Sequence, residues 1–500
     1  MDLNTYIAAA SIVLDWPVLA AIVAGAVYGF MVGAIPGLTA TMATALLVPV
    51  TFFLAPVPAI ALIVSTTAMA ITAGDIPGTL LRIPGTPASA AYVDESYALT
   101  LKGKAEVALN ISIMFSALGG IFGAIFLLIT GPLLAKVALN FSSFEFFWLA
   151  MLGLMTSALV SSSGPVKGYV SLVLGILVST VGLDITSGQP RFTYGVVELY
   201  GGISFIPVMI GMFAFAEILR GFSSTAAYPP APETSAFRPF HGMGGLLRKY
   251  KWSYLRGASL GTSIGALPGV GGDIAAWIAY GMSRRFSKTP EKFGTGHEEG
   301  LVEASSSNNA GLSSAWIPAM VFGIPGDAIT AIAVGVLYMK GLNPGPRLFT
   351  ENPAMPTAII FTFFIANLLL FPIGYLAIKG ARHVLSIRRC YIVPVVLIFC
   401  ILGSFAINNT LFGVGIMFAA GLAGYILEEN GFPIAPIILG IVLGPVLERN
   451  FIMSMQIVDG KLTGFFDRPI AACIGTVVII LLLVPIVRKL RQSTSSPNPI

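Results

Sequence analysis

Polar and ionisable residues gather around five places where an aliphatic residue, a proline and a glycine interrupt a hydrophobic stretch. The interruptions are Ile35-Pro36-Gly37, Ile76-Pro77-Gly78, Ile83-Pro84-Gly85, Leu267-Pro268-Gly269 and Ile324-Pro325-Gly326. Proline lacks a backbone N–H and glycine tolerates non-helical dihedral angles, so each triplet breaks a helix and frees peptide groups. Because lipid cannot satisfy such groups, we expect the breaks to face protein, water or a ligand. Broken helices of this kind are typical of binding sites in membrane transporters.

The side chains beside the breaks predict two kinds of binding. Hydroxyl and amide groups hold carboxylate oxygens without a fixed charge. The expected substrate contacts are Gly85, Thr86, Ser89, Asn308, Asn309 and Gly326. Carboxylates and unwound backbone carbonyls suit a small cation. The expected surroundings of this coupling ion are Gly37, Asp75, Gly269, Asp273 and Asp327. The sequence therefore predicts a site for a small anion together with a small cation.

Composition places these residues in a polytopic integral membrane protein. Of the 500 residues, 56% are hydrophobic and 10% are charged, whereas soluble domains carry about 25% charged residues. A spanning helix needs about 20 mostly apolar residues. The hydrophobic pattern predicts an all-α fold with roughly 11–13 membrane elements, some of them re-entrant or broken. One of these elements is predicted over 42–64.

Basic residues predict the orientation of the chain. Lys and Arg are concentrated near 238–256, 284–292, 382–389 and 488–491, whereas no basic residue precedes Arg82. The positive-inside rule places these four segments in the cytoplasm and the N-terminus outside. The net charge of +5 therefore reflects loop charges and gives no indication of nucleic-acid binding.

An internal repeat predicts two halves. Gly33-Ala34-Ile35-Pro36-Gly37 recurs as Gly265-Ala266-Leu267-Pro268-Gly269, a displacement of 232 residues (33 to 265). Ile83-Pro84-Gly85 recurs as Ile324-Pro325-Gly326, a displacement of 241 residues (83 to 324), and a Lys-Gly pair follows each copy. The predicted divisions are a first membrane half (1–222), a cytoplasmic linker (223–255), a second membrane half (256–487) and a cytoplasmic tail (488–500). Spacing leaves open whether the halves are inverted.

Ordered motifs along the chain resemble one known family. They include Gly33–Leu38, Leu46–Phe52, Ile83–Ser89, Leu267–Gly272, Gly323–Gly326 and Gly341–Pro346. As a set they resemble the large membrane subunit of tripartite tricarboxylate transporters. The resemblance implies a permease of the bacterial inner membrane rather than an enzyme. It also implies a periplasmic binding protein that delivers a carboxylate, a small four-helix membrane subunit and uptake driven by an ion gradient, with Na⁺ favoured, H⁺ left open and no other cofactor.

Three acids depart from the family pattern. Asp75, Asp273 and Asp327 stand where that family usually has small or hydroxyl residues, and Ala304-Ser305 replaces a usual Pro-Glu pair. Like charges repel strongly at low effective dielectric, so these acids must be neutral, ion-paired or away from an anionic substrate. The sequence therefore leaves open a less anionic substrate or coupling to protons.

Two other function classes have weaker support. A passive channel requires a continuous polar lining, which the sequence does not show. Gly271-Gly272-Asp273 faintly resembles an intramembrane aspartyl hydrolase motif, but that chemistry needs a second converging carboxylate, and the sequence has no partner motif.

Overall fold

The computed structural model is almost entirely helical and describes residues 2–35, 38–159, 164–184, 187–223, 240, 242–385 and 389–494. The helices up to residue 223 are α1 (Leu3–Val13), α2 (Trp16–Gly33), α3 (Ala40–Phe52), α4 (Pro56–Ala73), α5 (Asp75–Leu81), α6 (Val93–Leu101), α7 (Ala105–Ala138), α8 (Ser143–Leu159), α9 (Pro165–Ser179), α10 (Phe205–Met209) and α11 (Ala216–Ser223). A π-helical turn, Ile210–Phe215, joins the last two.

The later part of the chain is helical as well. Its helices are α12 (Met243–Lys249), α13 (Lys251–Gly265), α14 (Gly271–Phe286), α15 (Glu298–Ser314), α16 (Trp316–Phe322), α17 (Ala328–Met339), α18 (Pro346–Glu351), α19 (Ala354–Leu385), α20 (Arg389–Asn408), α21 (Leu411–Glu429), α22 (Ile434–Ile457) and α23 (Pro469–Thr494). Two short antiparallel strands, β1 (Gly182–Leu183) and β2 (Pro190–Arg191), pair Gly182 with Arg191.

Six helical segments of the described residues are long and apolar enough to cross a membrane: Trp16–Gly33, Pro56–Leu81, Ala105–Ala138, Ala354–Leu376, Leu411–Glu429 and Ile434–Ile457. Shorter apolar helices, such as α3 and α17, accompany them. The predicted all-α polytopic class is confirmed. The prediction of one element over 42–64 is wrong, because α3 ends at Phe52 and α4 begins at Pro56. Proline is favoured in the first turn of a helix and so marks a new start.

The chain forms two compact units. The first contains Met1–Ala138 and Ile206–Ile426, and the second contains Leu139–Phe205 and Leu427–Ile500. In the second unit the Trp148 indole donates to the Phe465 carbonyl at 3.0 Å. All candidate site residues belong to the first unit. The predicted linker lies partly outside the described residues, and the boundaries of the two halves stay predictions.

Rows of glycine bring two pairs of helices into backbone contact in the first unit. They are Gly25, Gly29 and Gly33 of α2 against α4, and Gly257, Gly261 and Gly265 of α13 against α15. A Cβ on Gly29 would lie 2.2 Å from the Thr66 carbonyl oxygen, and one on Gly261 would lie 2.2 Å from the Ser307 carbonyl oxygen. Gly29 and Gly261 are 232 residues apart, and Thr66 and Ser307 are 241 residues apart. These are the two displacements of the sequence repeat. The repeated motifs therefore belong to a repeated structure.

Each repeat is tied to the other through the lysine of its Lys-Gly pair. The Lys102 ammonium, after α6, donates to the Thr295 carbonyl just before α15 at 2.5 Å. The Lys340 ammonium, after α17, donates to the Phe52 carbonyl just before α4 at 2.8 Å. Hence α4 starts at the end of the unit where α17 finishes, and α15 starts where α6 finishes. We call these the Lys340 end and the Lys102 end.

The long helix α7 shows that these ends are opposite. It begins at Ala105 beside the Lys102 end, and a Cβ on its Gly131 would lie 3.5 Å from the Phe349 ring of α18, which follows Lys340. These two α7 residues are about 39 Å apart at roughly 1.5 Å per residue. Because α4 and α15 enter from opposite ends, the two repeats are inverted relative to each other.

Candidate functional site

The first hairpin consists of α4, α5 and the returning segment 83–101, and its tip is Ile83-Pro84-Gly85, a few residues after Pro77. Arg82 ends α5 in the left-handed region at φ 60°. The chain then turns back so that the Ile83 N–H donates to the Pro77 carbonyl at 3.3 Å. Because Pro77 has no N–H to donate to the carbonyl four residues earlier, the helical hydrogen bonding is interrupted between α4 and α5.

The second hairpin consists of α15, α16 and the returning segment 324–339, and it has an equivalent tip at Ile324-Pro325-Gly326. Gly323 ends α16 in the left-handed region at φ 69°. The Ile324 N–H donates to the Pro318 carbonyl at 3.2 Å. The breaks predicted at Ile83-Pro84-Gly85 and Ile324-Pro325-Gly326 are therefore equivalent turns, one entering from each end of the unit. The break predicted at Ile76-Pro77-Gly78 is wrong, because these residues lie inside α5 and the helix is interrupted before them, at Gly74.

The glycine of each tip touches the interruption of its own helix. The Gly85 N–H donates to the Gly74 carbonyl at 3.1 Å, and a Cβ on Gly85 would lie 2.6 Å from the Gly74 Cα. A Cβ on Gly326 would lie 2.7 Å from the Ala315 carbonyl oxygen. Both predicted backbone positions are thus buried at the helix breaks. Gly37, by contrast, lies outside the described residues.

Reciprocal hydrogen bonds cap the segment after each tip. The Thr86 N–H donates to the Ser89 hydroxyl and the Ser89 N–H to the Thr86 hydroxyl, both at 3.1 Å. The Asp327 N–H donates to the Thr330 hydroxyl at 2.8 Å, and the Thr330 N–H donates to the Asp327 carboxylate at 2.7 Å. Three predicted site residues therefore stabilise the tips, and their contact with a ligand stays a prediction.

The two repeats meet at the middle of α15. The Asn309 side-chain amide donates to the Thr72 hydroxyl of α4 at 3.2 Å. Asn308 and Asn309 are each 1% exposed. In the described part of the chain, the amide oxygen of each has no hydrogen-bond partner. Because buried polar groups are almost always paired, these oxygens are candidate ligand contacts.

Asp75 lies one helical turn beyond Thr72 and is 3% exposed. Its Oδ1 accepts a hydrogen bond from the Tyr92 hydroxyl at 2.7 Å, and its Oδ2 accepts one from the Ser112 hydroxyl. Among the described residues, no lysine or arginine forms an ion pair with this carboxylate. Sequence reasoning missed both hydroxyl donors, since neither lies at a spacing that connects it to Asp75.

The other two acids lie together beside the fourth break. Gly269 adopts φ 80° in the turn between α13 and α14. The Asp273 carboxylate, in the first turn of α14, is exposed and accepts from the Ala88 N–H at 3.2 Å. A Cβ on Gly271 would lie 2.8 Å from the Asp327 Cβ. Asp273 and Asp327 thus form a pair of acids separate from the Asp75 hydrogen bonds.

Comparison with known proteins identifies the family. The model of the tripartite tricarboxylate transporter TctA family matches residues 19–439. The chain belongs to this family. The matched range includes both hairpins and all predicted site residues, so the resemblance read from the motifs is confirmed. As a member, the chain is a permease of a tripartite transporter and a multi-pass membrane protein.

Two relatives come from Agrobacterium vitis. One, named an uncharacterized 52.8 kDa protein in the TAR-I ttuC' 3' region, is 33% identical over 473 residues, which are 94% of this chain and 93% of the relative. The other, an uncharacterized protein in the TAR-II ttuC' 3' region, is 37% identical over 235 residues, which are 46% of this chain and 97% of the relative. No solved structure matches the chain.

Proposed function

We propose that the chain takes up small organic anions of the di- or tricarboxylate class by secondary active transport. An extracytoplasmic binding protein delivers the anion, a small four-helix subunit completes the membrane complex, and a cation gradient, Na⁺ first, drives uptake. The observation that carries this proposal is the meeting of two oppositely inserted broken hairpins at the Asn309–Thr72 hydrogen bond. Inverted repeats with broken helices at mid-membrane are the architecture of alternating access.

The charge distribution supports an orientation in the inner membrane. Lys249 pairs with Glu298, the first residue of α15, at 3.4 Å, so the basic segment around 248–256 belongs to the Lys102 end. By the positive-inside rule, we place the Lys102 end in the cytoplasm and the Lys340 end on the side where the binding protein docks.

The residues around the tips supply groups for an anion. Backbone N–H groups at a break and neutral amides donate hydrogen bonds to carboxylate oxygens without a fixed positive charge. The proposed contacts are those predicted from sequence: Gly85, Thr86, Ser89, Asn308, Asn309 and Gly326. Neutral donors keep binding weak enough for release on the other side.

The acids favour a second candidate within the same class of transporter. Asp273 and Asp327 add negative charge beside the tips, and this charge would repel a substrate with three carboxylates. A less anionic solute, coupled to protons rather than Na⁺, is therefore the alternative.

Reconstitution tests both candidates. Proteoliposomes holding the chain and its small subunit would be assayed with labelled succinate and citrate, with the binding protein outside. We expect accumulation above the external concentration only when the binding protein and an inward Na⁺ gradient are both present. Accumulation driven by a proton gradient alone would favour the alternative, and equilibration without any gradient would reject secondary active transport.

A further inference from the structure

We infer that the break between α4 and α5 binds one monovalent cation, held by the Asp75 carboxylate, the Thr72 hydroxyl and the amide oxygens of Asn308 and Asn309. The inference deepens the proposed function and rests on it, because it assigns the driving ion to a specific place in the fold. It also separates that place from the pair of acids at Asp273 and Asp327.

The unpaired amide oxygens are the first support. Asn309 uses its NH₂ group on Thr72, which leaves its oxygen free to accept, and the Asn308 oxygen is likewise without a partner among the described residues. Both side chains are almost wholly buried. A buried oxygen without a donor is unfavourable, and a cation bound between the helices satisfies it.

The buried charge of Asp75 is the second, independent support. Tyr92 and Ser112 donate hydrogen bonds to its carboxylate but bring no positive charge. A carboxylate removed from water stays ionised only where a counter-charge accompanies its hydrogen bonds. One carboxylate surrounded by neutral oxygens balances a single positive charge, whereas a divalent ion such as Ca²⁺ usually takes several carboxylates.

The hydroxyl of Tyr92 joins these two groups of oxygens. It lies 2.7 Å from Asp75 Oδ1 and faces the side chains of Ser305 and Asn308 on α15. The Asp75 carboxylate of one repeat and the Asn308 side chain of the other are therefore joined through the Tyr92 hydroxyl.

The proline of the first hairpin adds another acceptor to this place. Pro77 has no N–H to donate to the carbonyl of Ala73, four residues earlier. That carbonyl lies between Thr72 and Asp75 in the sequence. Carbonyls released at a helix break are the groups that coordinate Na⁺ in transporters of this architecture.

The second repeat lacks the equivalents of the Asp75 carboxylate and the Asn309 amide. By the displacement of 241 residues, Trp316 occupies the position of Asp75, and Ala68 occupies the position of Asn309. Trp316 is fully buried and packs against the Phe363 ring at 5.5 Å between ring centres. An indole offers no oxygen to a cation, so the duplicated fold carries one site of this kind rather than a symmetric pair.

Equilibrium binding of radioactive sodium ions to the full chain purified in detergent tests the inference without substrate. We expect saturable binding close to one Na⁺ per chain and a thermal unfolding temperature that rises with Na⁺ but not with choline. Asp75→Asn and Asn309→Ala should weaken binding at least tenfold. Asp94→Asn, which removes an exposed carboxylate paired with Arg82, is the matched control and should bind as the parent protein does.

A pair of variants at Thr72 keeps the test decisive if Asp75→Asn fails to fold. Thr72→Ser retains the hydroxyl and should retain binding, whereas the nearly isosteric Thr72→Val should lose it. Unchanged binding in Asp75→Asn or Thr72→Val, or an unfolding temperature that responds to pH but not to Na⁺, would overturn the inference. Sodium binding that follows this pattern without any anion uptake would instead leave the inference standing and reject the proposed function.

Discussion

The carboxylate of Glu95 accepts a hydrogen bond from the backbone N–H of His297, with 2.7 Å between Oε2 and the nitrogen. Glu95 lies on α6 and is fully buried. The N–H groups of Gly294 and Gly296 and the hydroxyl of Tyr280 donate to the same carboxylate. Four donors from the second repeat therefore surround one acid of the first, and they join the first hairpin to the loop before α15.

Glu95→Gln should destabilise the protein strongly. The amide keeps one acceptor oxygen but turns an NH₂ group toward backbone donors, and lost hydrogen bonds to a charged group cost about 1.5–3 kcal/mol each. We expect thermal unfolding in detergent to begin at a clearly lower temperature. The adjacent Asp94→Asn breaks an exposed ion pair and should change stability by less than about 1 kcal/mol. Equal unfolding temperatures for the two variants would contradict this role of Glu95.

Gly261→Ala should push α13 away from α15. The new methyl group would lie 2.2 Å from the Ser307 carbonyl oxygen, and such overpacking costs about 1–3 kcal/mol. The control is Gly281→Ala on α14, where a Cβ meets no atom within 4 Å. That change should stabilise the helix by up to about 1 kcal/mol. Urea unfolding followed by tryptophan fluorescence measures both, and destabilisation by the control alone would refute the close packing of these helices.

Gly85→Ala should abolish accumulation of the anion. Its Cβ would displace the first tip from the Gly74 interruption, 2.6 Å away, and thereby move Thr86 and the proposed substrate contacts. We expect uptake in proteoliposomes to fall more than about tenfold, since small displacements at a site carry large costs. Gly244→Ala on α12 has open space around it and should transport normally. If Gly85→Ala took up the anion as the parent protein does, the first tip would not be part of the substrate site.

Asp327→Asn isolates the effect of charge at the second tip. Asparagine is as good an N-cap as aspartate, so its oxygen can still accept from the Thr330 N–H. Loss of one negative charge relieves about 1 kcal/mol of repulsion, which lowers the KM for a tricarboxylate roughly fivefold. Uptake kinetics with citrate and a monocarboxylate of similar size check this. An equal change for both substrates would show that Asp327 does not sense the substrate's charge.

The sequence predicts the breaks well because their cause is local. The proline and glycine at each tip allow the chain to leave the helix there, although single prolines such as Pro132 and Pro372 stay inside helices. The displacement between Gly85 and Gly326 reveals the duplication before any coordinates are known. The same reasoning fails over 42–64, since a hydrophobic run does not show that Pro56 begins a new helix.

The surroundings of Asp75 could not be predicted in this way. Tyr92 and Ser112 reach its carboxylate only because α7 and the returning first hairpin pack around α5. The glycine rows do have a local signal: Gly25, Gly29 and Gly33 recur every four residues, a spacing typical of close helix contacts in membranes.

The bond from Lys102 to the Thr295 carbonyl spans 193 residues, and this separation constrains biosynthesis. At 5–20 residues per second, the ribosome needs roughly 10–40 s to make the missing partner. During that interval the amino-terminal hairpin is already synthesised, while the acceptor of its Lys102 and the backbone donors to its Glu95 do not yet exist. A nascent chain stalled before residue 290 should therefore expose the Glu95 carboxylate to chemical probes that the finished protein, in which Glu95 is fully buried, excludes.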